Sequence, residues 1–486
     1  MQILLRGAAA GYEAEHVARI FFPGASLAGA DFPLEEPSAD VVAAVDHNLA
    51  QIVYLRRGGV LRWRMASIDR DTPRKDRELA LCKLLYGLLC TETGVRPPWG
   101  MMTGVRPVRI IHDMRAEGAS EAEIEARFLQ TYDCTPQRFA TAKSIADRQA
   151  PILAAAQPMD CSVYAGIPFC PSRCSYCSFV SRTVGDKATR AQIEPYVACL
   201  CRELTATREV ADACGLSIKT FYIGGGTPTS LNAVQLRRLM EHIRRTFPLE
   251  TLQEYTVEAG RPDCTDEEKL RILKEYGATR ISINPQTFSD EVLRNIGRKH
   301  SAQDILDCYR TARAVGHDNI NMDLIAGLPG DTVEGFRHSL ETAIALEPEN
   351  ITVHTLTLKR ASNLVVEHRA AEYDDVAAML EQSALLEKAG YVPYYLYRQK
   401  GTLQNLENIG WCKPGKECLY NIYIMEEVHS ILSAGAGGST KLVEPGRRHG
   451  KIERIFNFKY PTEYIDRFST VLARKEGVQQ FYETHR

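Results

Sequence analysis

A chain of 486 residues exceeds one ordinary hydrophobic core, so we expect two or three domains, one of which could be a barrel. Its 44% hydrophobic and 25% charged residues are typical of a globular protein, and its net charge of −2 excludes a bulk attraction to nucleic acid or an anionic membrane. The sequence contains no apolar run of the roughly 20 residues that span a bilayer, and its N-terminus lacks the pattern of a signal peptide. We therefore expect a cytoplasmic protein that binds neither nucleic acid nor membrane.

Residues 1–155 predict an α+β accessory domain. Helical periodicity begins near Asp76, and the segment 94–107 between two predicted helices is rich in Gly, Pro and Arg. This segment is either a rigid connector or a loop that presents Arg96 and Arg106 to an anionic ligand. The strands predicted here are 2–6, 40–46, 51–56 and 60–68, the last two forming a hairpin, and further helices are predicted at 119–132 and 136–156.

Residues 156–390 alternate strand-like and helical runs six times, which predicts a parallel sheet. The sheet could close as a partial barrel or lie open, and in both cases ligands bind where the strands end. The predicted strands are 162–167, 220–223, 254–258, 279–283, 319–325 and 350–358. The predicted helices are 189–213, 232–246, 266–276, 302–315, 333–346 and 372–389.

Residues 391–486 are expected to form a region that covers the substrate side. A strand is predicted at 391–397, a loop at 399–421 and an apolar segment at 422–432, before a glycine-rich stretch and a terminal helix. Most of the 14 cysteines are scattered singly among apolar neighbours and are expected to pack as small hydrophobes. Cys412 and Cys418 leave open a second metal or a redox pair.

Three thiols lie within eight residues just after the first strand of the alternating region, at Cys170, Cys174 and Cys177. Iron–sulfur cubanes and structural zinc sites usually take four protein ligands, so three thiols indicate a 4Fe–4S cluster with one iron free to bind another molecule. The alternative is a zinc site completed by a distant thiol such as Cys161. The aromatic residues expected to shield a cluster from water are Phe169, Tyr176 and Phe179.

A second signal is the strand 220–223, which runs into Gly224, Gly225, Gly226 and Thr227. Glycines at such a strand end allow main-chain amides to approach a phosphate or carboxylate closely. Taken alone, glycines after a strand are often only a turn.

Together, Cys170-x3-Cys174-x2-Cys177 and Gly224-Gly-Gly-Thr227-Pro resemble the two motifs of the radical S-adenosylmethionine (SAM) enzymes. The resemblance implies an α/β fold, a partial (β/α)6 TIM-like barrel, with a 4Fe–4S cluster on the three thiols and SAM chelated to the free iron. In that family the reduced cluster cleaves SAM to methionine and a 5′-deoxyadenosyl radical.

Further matches resemble the branch that contains oxygen-independent coproporphyrinogen III dehydrogenase (oxidase), and the long N-terminal extension resembles its HemZ-like subgroup. Two predicted strands end at Glu258 and Asp323, whose carboxylates could accept hydrogen bonds from ribose hydroxyls, and Arg298 could bind the methionyl carboxylate. The residues implied to contact SAM are Tyr164, Tyr176, Gly224, Gly225, Gly226, Thr227, Glu258, Gln286, Arg298 and Asp323.

The resemblance implies oxidative decarboxylation of coproporphyrinogen III to protoporphyrinogen IX in haem biosynthesis. The protein would be a monomer that binds a tetrapyrrole and takes electrons from an external flavodoxin- or ferredoxin-type donor. Carboxylate recognition requires cations, for which Arg398, Lys413 and Lys416 are candidates, the alternative for each being a solvated charge.

Two departures from the branch keep other functions open. Phe179 stands where the best-known dehydrogenases carry a fourth cysteine, which weakens the transfer of their activity. Tyr420-Asn421-Ile-Tyr423 stands where the haem chaperones carry His-Asn-x-x-Tyr-Trp, which argues against a chaperone. The alternatives are an anaerobic haem-degrading methyltransferase and a non-catalytic haem chaperone.

Overall fold

The computed structural model describes residues 1–7, 11–28, 40–104, 106–179, 181–359, 362–366, 375–399 and 402–485. The chain divides into two compact units, Met1–Lys143 with Arg398–Leu406, and Ser144–Tyr397 with Glu407–Arg486. Within these ranges, no helix is both long and apolar enough to cross a membrane.

The first unit contains a five-stranded sheet of order β2-β1-β3-β4-β5, with helices packed on one face. The predicted hairpin of β4 and β5 is confirmed, while the helices α1 and α3 are additions to the prediction. The strands are β1 (Gln2–Arg6), β2 (Ser26–Ala28), β3 (Val41–Asp46), β4 (Ala50–Arg57) and β5 (Val60–Ser67). The helices are α1 (Tyr12–Phe21), α2 (Arg74–Thr93), α3 (Pro107–Ala116) and α4 (Glu121–Ala126), followed by a π-helical turn (Arg127–Thr131) and α5 (Pro136–Ala155).

The second unit is built on a large sheet whose order is β14-β15-β13-β12-β11-β10-β9-β6-β16-β17-β18. Its centre, from β13 to β16, is parallel throughout, which confirms the six predicted βα units. The first strands are β6 (Asp160–Ile167), β7 (Phe169–Cys170), β8 (Arg182–Thr183), β9 (Ser217–Gly225), β10 (Glu254–Glu258), β11 (Arg280–Ser282) and β12 (Ile320–Ala326). The last strands are β13 (Asn350–Thr355), β14 (Val392–Arg398), β15 (Glu407–Cys412), β16 (Ser430–Ala434), β17 (Ser439–Val443) and β18 (Ile452–Phe456).

The helices between the parallel strands begin where side chains cap their first turns. Asn232 and Ser301 form capping boxes at α7 and α10. Each side chain accepts a hydrogen bond from a first-turn amide that has no partner within the helix, which stabilises the start of the helix. These helices are α6 (Lys187–Ala213), α7 (Ala233–Thr246), α8 (Glu267–Glu275), α9 (Asp290–Asn295), α10 (Ala302–Val315) and α11 (Val333–Ala345). Those that follow are α12 (Asn363–Val366), α13 (Val376–Glu381), α14 (Ala384–Lys388), α15 (Leu419–Glu426), α16 (Pro461–Asp466), α17 (Phe468–Ala473) and α18 (Glu476–Thr484).

Two predictions for the C-terminal half are wrong. The expected loop 399–421 contains the fully buried strand β15, which pairs antiparallel with β13. Gly410 makes this possible, because a Cβ atom there would lie 1.9 Å from the ring of Tyr395. The single helix expected at 372–389 is instead α13 and α14, which are separated after Glu381, and its residues 372–374 lie outside the described residues.

Candidate functional site

The three clustered thiols lie in the segment that follows β6, residues 169–179, which we call the thiol loop. Cys170 ends the short strand β7, and Cys174 and Cys177 lie in the turn after it. Phe169 is fully buried and packs edge-on against Tyr196, which fixes the start of this loop in the core. Further along, the amide of Cys177 donates to the carbonyl of Cys174 (3.1 Å), and Ser175 donates to the loop after α9 (3.0 Å). The loop is therefore anchored at the carboxyl ends of the parallel strands, where ligands were expected.

The thiol sulfurs of this loop face hydrogen-bond donors. The donors are the Thr227 hydroxyl for Cys170 (3.6 Å), the Arg261 guanidinium for Cys174 (3.5 Å) and the backbone amide of Phe179 for Cys177. Burial raises the pKa of Cys177 to about 11, so ionisation of this thiol requires a nearby cation such as iron. Among the described residues, no three Cys, His, Asp or Glu side chains already stand in metal-site geometry. The surroundings fit thiolate ligands that turn toward a common metal.

The glycine motif at the end of β9 packs directly on the thiol loop. The amide of Gly226 donates to Ile167 (2.7 Å), and that of Thr227 donates to Phe169 (2.7 Å). A Cβ atom on Gly226 would lie 2.5 Å from the Phe169 carbonyl oxygen and 2.9 Å from the Cys170 sulfur. Glycine is thus required here because the two motifs approach each other too closely for a side chain.

Glu258, at the end of β10, accepts a short hydrogen bond of 2.6 Å from the hydroxyl of Tyr222 on β9. Burial, with a contribution from the nearby Asp323 charge, raises the pKa of Glu258 to about 7, although the Tyr222 bond opposes that shift. This carboxyl group can therefore gain or lose a proton near neutral pH. Its two oxygens suit the ribose hydroxyls that the sequence assigned to it.

Asp323 lies on β12, and its backbone is hydrogen-bonded to Gln286, a non-glycine residue with a positive φ. The amide of Gln286, which has φ of 68°, donates to the Asp323 carbonyl (2.8 Å). Asn321 donates to the Asp323 carboxylate at 2.8 Å, and His354 stands 3.7 Å from it. Burial alone would raise the pKa of Asp323, but His354 and Asn321 outweigh it and hold the pKa below its usual value. Asp323 is thus an anion and a hydrogen-bond acceptor at neutral pH.

Arg298 is buried beside the thiol loop with one unused donor. Its terminal nitrogens donate to the carbonyl of Asn284 (2.6 Å) and to the hydroxyl of Tyr176 (3.3 Å). Among the described residues, its buried Nε has no hydrogen-bond partner. An anionic ligand such as an amino-acid carboxylate would satisfy this donor.

Aromatic rings line the same half of the sheet, and the sequence had marked few of them. Tyr222 stacks on Tyr164 and Tyr420 with ring centroids 6.1 and 4.6 Å apart. His354 contacts the hydroxyl of Tyr397 through Nδ1 (3.3 Å). The two-residue period of strands could have indicated Tyr222, because it lies two residues before Gly224 on the same strand and therefore on the same face of the sheet. No comparable signal marks His354.

The three cations predicted to bind substrate are Arg398, Lys413 and Lys416, and the structure gives the surroundings of each. Arg398 is buried and donates to the carbonyls of Met102 (2.6 Å) and Asn405 (3.2 Å) within the first unit. Lys413 donates to Glu347 (2.7 Å). Lys413 and Lys416 follow β15, whose last residue pairs with the first residue of β13, so both lie at the amino end of the parallel strands, away from the thiols. Because β15 runs antiparallel to β13, these lysines lie at the end of the sheet opposite the thiol loop, which does not favour the predicted substrate role.

Other expectations near the thiols also change. Phe179 is 61% exposed and does not shield the thiols in this structure. Cys161 lies at the amino end of β6, at the opposite end of the strand from the thiol loop, which removes it as a fourth ligand. Cys412 and Cys418 are fully buried, and the Cys418 thiol donates a hydrogen bond to the Glu254 carboxylate (3.3 Å). In the first unit, Arg96 forms an ion pair with Asp133 (3.1 Å).

Comparison with known proteins agrees with this arrangement. Residues 164–343 match the model of the Radical SAM superfamily. The chain is 36% identical over 485 residues, 96% of this chain and 95% of the relative, to the oxygen-independent coproporphyrinogen-III oxidase-like protein HemZ of Bacillus subtilis. It is 30% identical over 308 residues, 63% of this chain and 75% of the relative, to the heme chaperone HemW of Escherichia coli.

A solved structure supports the fold. Coproporphyrinogen III oxidase (HemN) from Escherichia coli, a radical SAM enzyme, matches with a TM-score of 0.50 at 22% identity and covers 67% of this chain and 73% of its own. The chain belongs to the radical SAM superfamily and, within it, to the family of the HemZ-like coproporphyrinogen-III oxidase homologues. The α/β fold is that of HemN and is consistent with a partial barrel. Membership implies a 4Fe–4S cluster and SAM.

Proposed function

We propose that the protein is a radical SAM enzyme that decarboxylates coproporphyrinogen III to protoporphyrinogen IX without oxygen. The observation that carries the proposal is the buried Nε of Arg298 beside the thiol loop, which has no hydrogen-bond partner among the residues that the structure describes. It offers an anion site next to three thiols. The relative that aligns with 96% of this chain is named for coproporphyrinogen oxidation, which supports the choice of substrate.

In this proposal, each site residue has a defined task. Cys170, Cys174 and Cys177 ligate the cluster, and the bound SAM supplies a 5′-deoxyadenosyl radical that removes a hydrogen atom. Arg298 binds the methionyl carboxylate. Ribose hydroxyls donate to Glu258, which ends β10, and to Asp323, the fourth residue of β12. The remaining SAM contacts are the glycine motif (Gly224, Gly225, Gly226 and Thr227), the Gln286 side chain, and the rings of Tyr164 and Tyr176.

The proposed reaction converts two propionate side chains into vinyl groups. Each propionate loses a hydrogen atom from its β-carbon, one electron to an external acceptor, and carbon dioxide, so two SAM molecules are consumed per substrate. The protein excludes water and aligns the reacting carbon atoms. The stacked rings of Tyr222 and Tyr420 offer an aromatic surface for the pyrrole rings of the substrate.

A second candidate is haem binding without turnover. It is favoured by the relatives named heme chaperone HemW, one of which is 30% identical over 75% of its length. The two functions would share the cluster and SAM residues and differ in whether the tetrapyrrole is changed.

Anaerobic incubation of the reconstituted protein with SAM, dithionite and coproporphyrinogen III separates these functions. Vinyl products together with 5′-deoxyadenosine are expected, and Cys174→Ala should lose both. Stoichiometric haem binding with no change in the porphyrin would support the chaperone. Methylated or ring-opened haem, in a parallel incubation with haem, would support the methyltransferase. Absence of 5′-deoxyadenosine from a protein with a full cluster would contradict both radical enzymes.

A further inference from the structure

Arg261 lies in the loop after β10, and its side chain extends to the thiol loop. Its side chain is buried, with 3% of the residue exposed. Nη1 donates to the sulfur of Cys174 (3.5 Å) and to the carbonyl of Ser172 (3.3 Å), and Nη2 donates to the Ser172 hydroxyl (2.9 Å). A permanent positive charge is thus in contact with one of the three thiols.

The Arg261 guanidinium is held from its other side by Asp263. Nε donates to Oδ1 (2.9 Å) and Nη2 to Oδ2 (2.7 Å), which is the two-point geometry that fixes an arginine most firmly. His300 is buried 3.4 Å from the same carboxylate, and the Ser172 hydroxyl donates to Gly297 (3.0 Å). These partners leave the guanidinium little freedom to turn away from the sulfur.

The three thiols are therefore electrostatically unequal. Cys170 accepts from a neutral hydroxyl at 3.6 Å, whereas Cys174 accepts from the Arg261 cation in a buried setting and also interacts with the Arg298 cation. A reduced cluster carries one more negative charge than an oxidised one, and a buried cation beside it stabilises the reduced form more than water would. Hydrogen bonds to cluster sulfurs are among the factors that set the reduction potential.

We propose that Arg261 is a positioning residue that raises the reduction potential of the cluster by donating to the Cys174 thiolate, with Asp263 and Ser172 holding it in place. The inference rests on the proposed ligation of the cluster by Cys174. It assigns a task to a residue for which the SAM-binding arrangement has no use. It also predicts that an external donor reduces this cluster more easily than it would reduce one lacking the cation.

The test is a redox titration, monitored by electron paramagnetic resonance, of the reconstituted protein without SAM. Arg261→Gln and Arg261→Lys are compared with wild type and with Arg271→Gln, a control that removes an exposed arginine from α8. We expect the midpoint potential to shift to more negative values in Arg261→Gln and by a smaller amount in Arg261→Lys, because lysine keeps the charge but not the two-point geometry. The control should titrate as wild type does.

Iron content separates this role from a merely structural one. Variants that hold a full cluster at the wild-type potential would overturn the inference and leave the proposed function intact. Variants that lose iron while the remaining clusters titrate as wild type would show that Arg261 only supports the loop, which also overturns it. A wild-type protein that takes up no iron would overturn the proposed function itself. Should Arg261→Gln fail to fold, the Arg261→Lys shift decides the question.

Discussion

The ionisation of Glu258 should control SAM binding near neutral pH. With a pKa of about 7, Glu258 is ionised in roughly one molecule in eleven at pH 6 and in about ten of eleven at pH 8. Only the ionised carboxylate can accept from both ribose hydroxyls. Asp323 stays ionised over this range because its pKa is held low. The pH dependence contributed by the carboxyl groups of the site is therefore assigned to Glu258.

We predict that Glu258→Gln weakens SAM binding much more at pH 8 than at pH 6. The ratio of the variant Kd to the wild-type Kd should fall about tenfold between pH 8 and pH 6, or about 1.4 kcal/mol, because protonation makes the wild-type side chain resemble glutamine. Using the ratio cancels the titration of the methionyl amine, which changes both proteins equally. Tyr222→Phe removes the bond that favours ionisation, so it should move the wild-type transition to higher pH.

The assay is calorimetric titration of SAM into the anaerobic, reconstituted proteins at half-unit steps of pH, with iron content measured for each sample. Asp318→Asn is the matched control, since its carboxylate side chain is 83% exposed and it lies outside the site. A Kd ratio that stays constant from pH 6 to pH 8 would refute the reasoning. The same holds if Asp318→Asn reproduces the change.

Two further predictions concern a close backbone approach and a buried ion pair. Gly226→Ala should abolish cluster uptake, measured as iron per protein and visible absorbance, because its Cβ would overlap a backbone oxygen at 2.5 Å. Gly185→Ala, whose Cβ would meet no atom of the described residues within 4 Å, should keep the cluster, and equal iron in both variants would contradict this. Lys475→Met should destabilise the second unit by about 3 kcal/mol, because it removes the cation that pairs with the buried carboxylate of Glu203, 2.8 Å from Nζ. Circular dichroism should show a lower urea midpoint for Lys475→Met than for wild type. Lys451→Met, whose ion pair is exposed, should change the free energy of unfolding by less than about 1 kcal/mol. Similar midpoints for the two variants would show that the buried pair contributes little.

Local patterns in the sequence were sufficient for the parallel half of the fold. Apolar runs, helix caps and glycine turns depend on neighbours within a few residues, so the six βα units and the three-thiol loop could be read directly. The carboxyl ends of parallel strands meet at one edge, and this places Glu258, Asp323 and the glycine motif together. Such reasoning fails for β15, because an antiparallel strand buried on both faces has no alternating pattern, and its direction decides where Lys413 and Lys416 lie.

The chemistry of the site was decided by contacts between residues distant in the chain. Arg261 and Cys174 are 87 positions apart, and Tyr222 and Glu258 are 36 apart, so no local spacing announces either pair. The raised pKa of Glu258 comes mainly from burial, which depends on every segment that packs around it. The sequence by itself determined which residue types could bind a cluster and SAM. Tertiary structure alone decided which thiol meets a cation and which carboxyl titrates near pH 7, because desolvation and close charge pairs exist only in the folded chain.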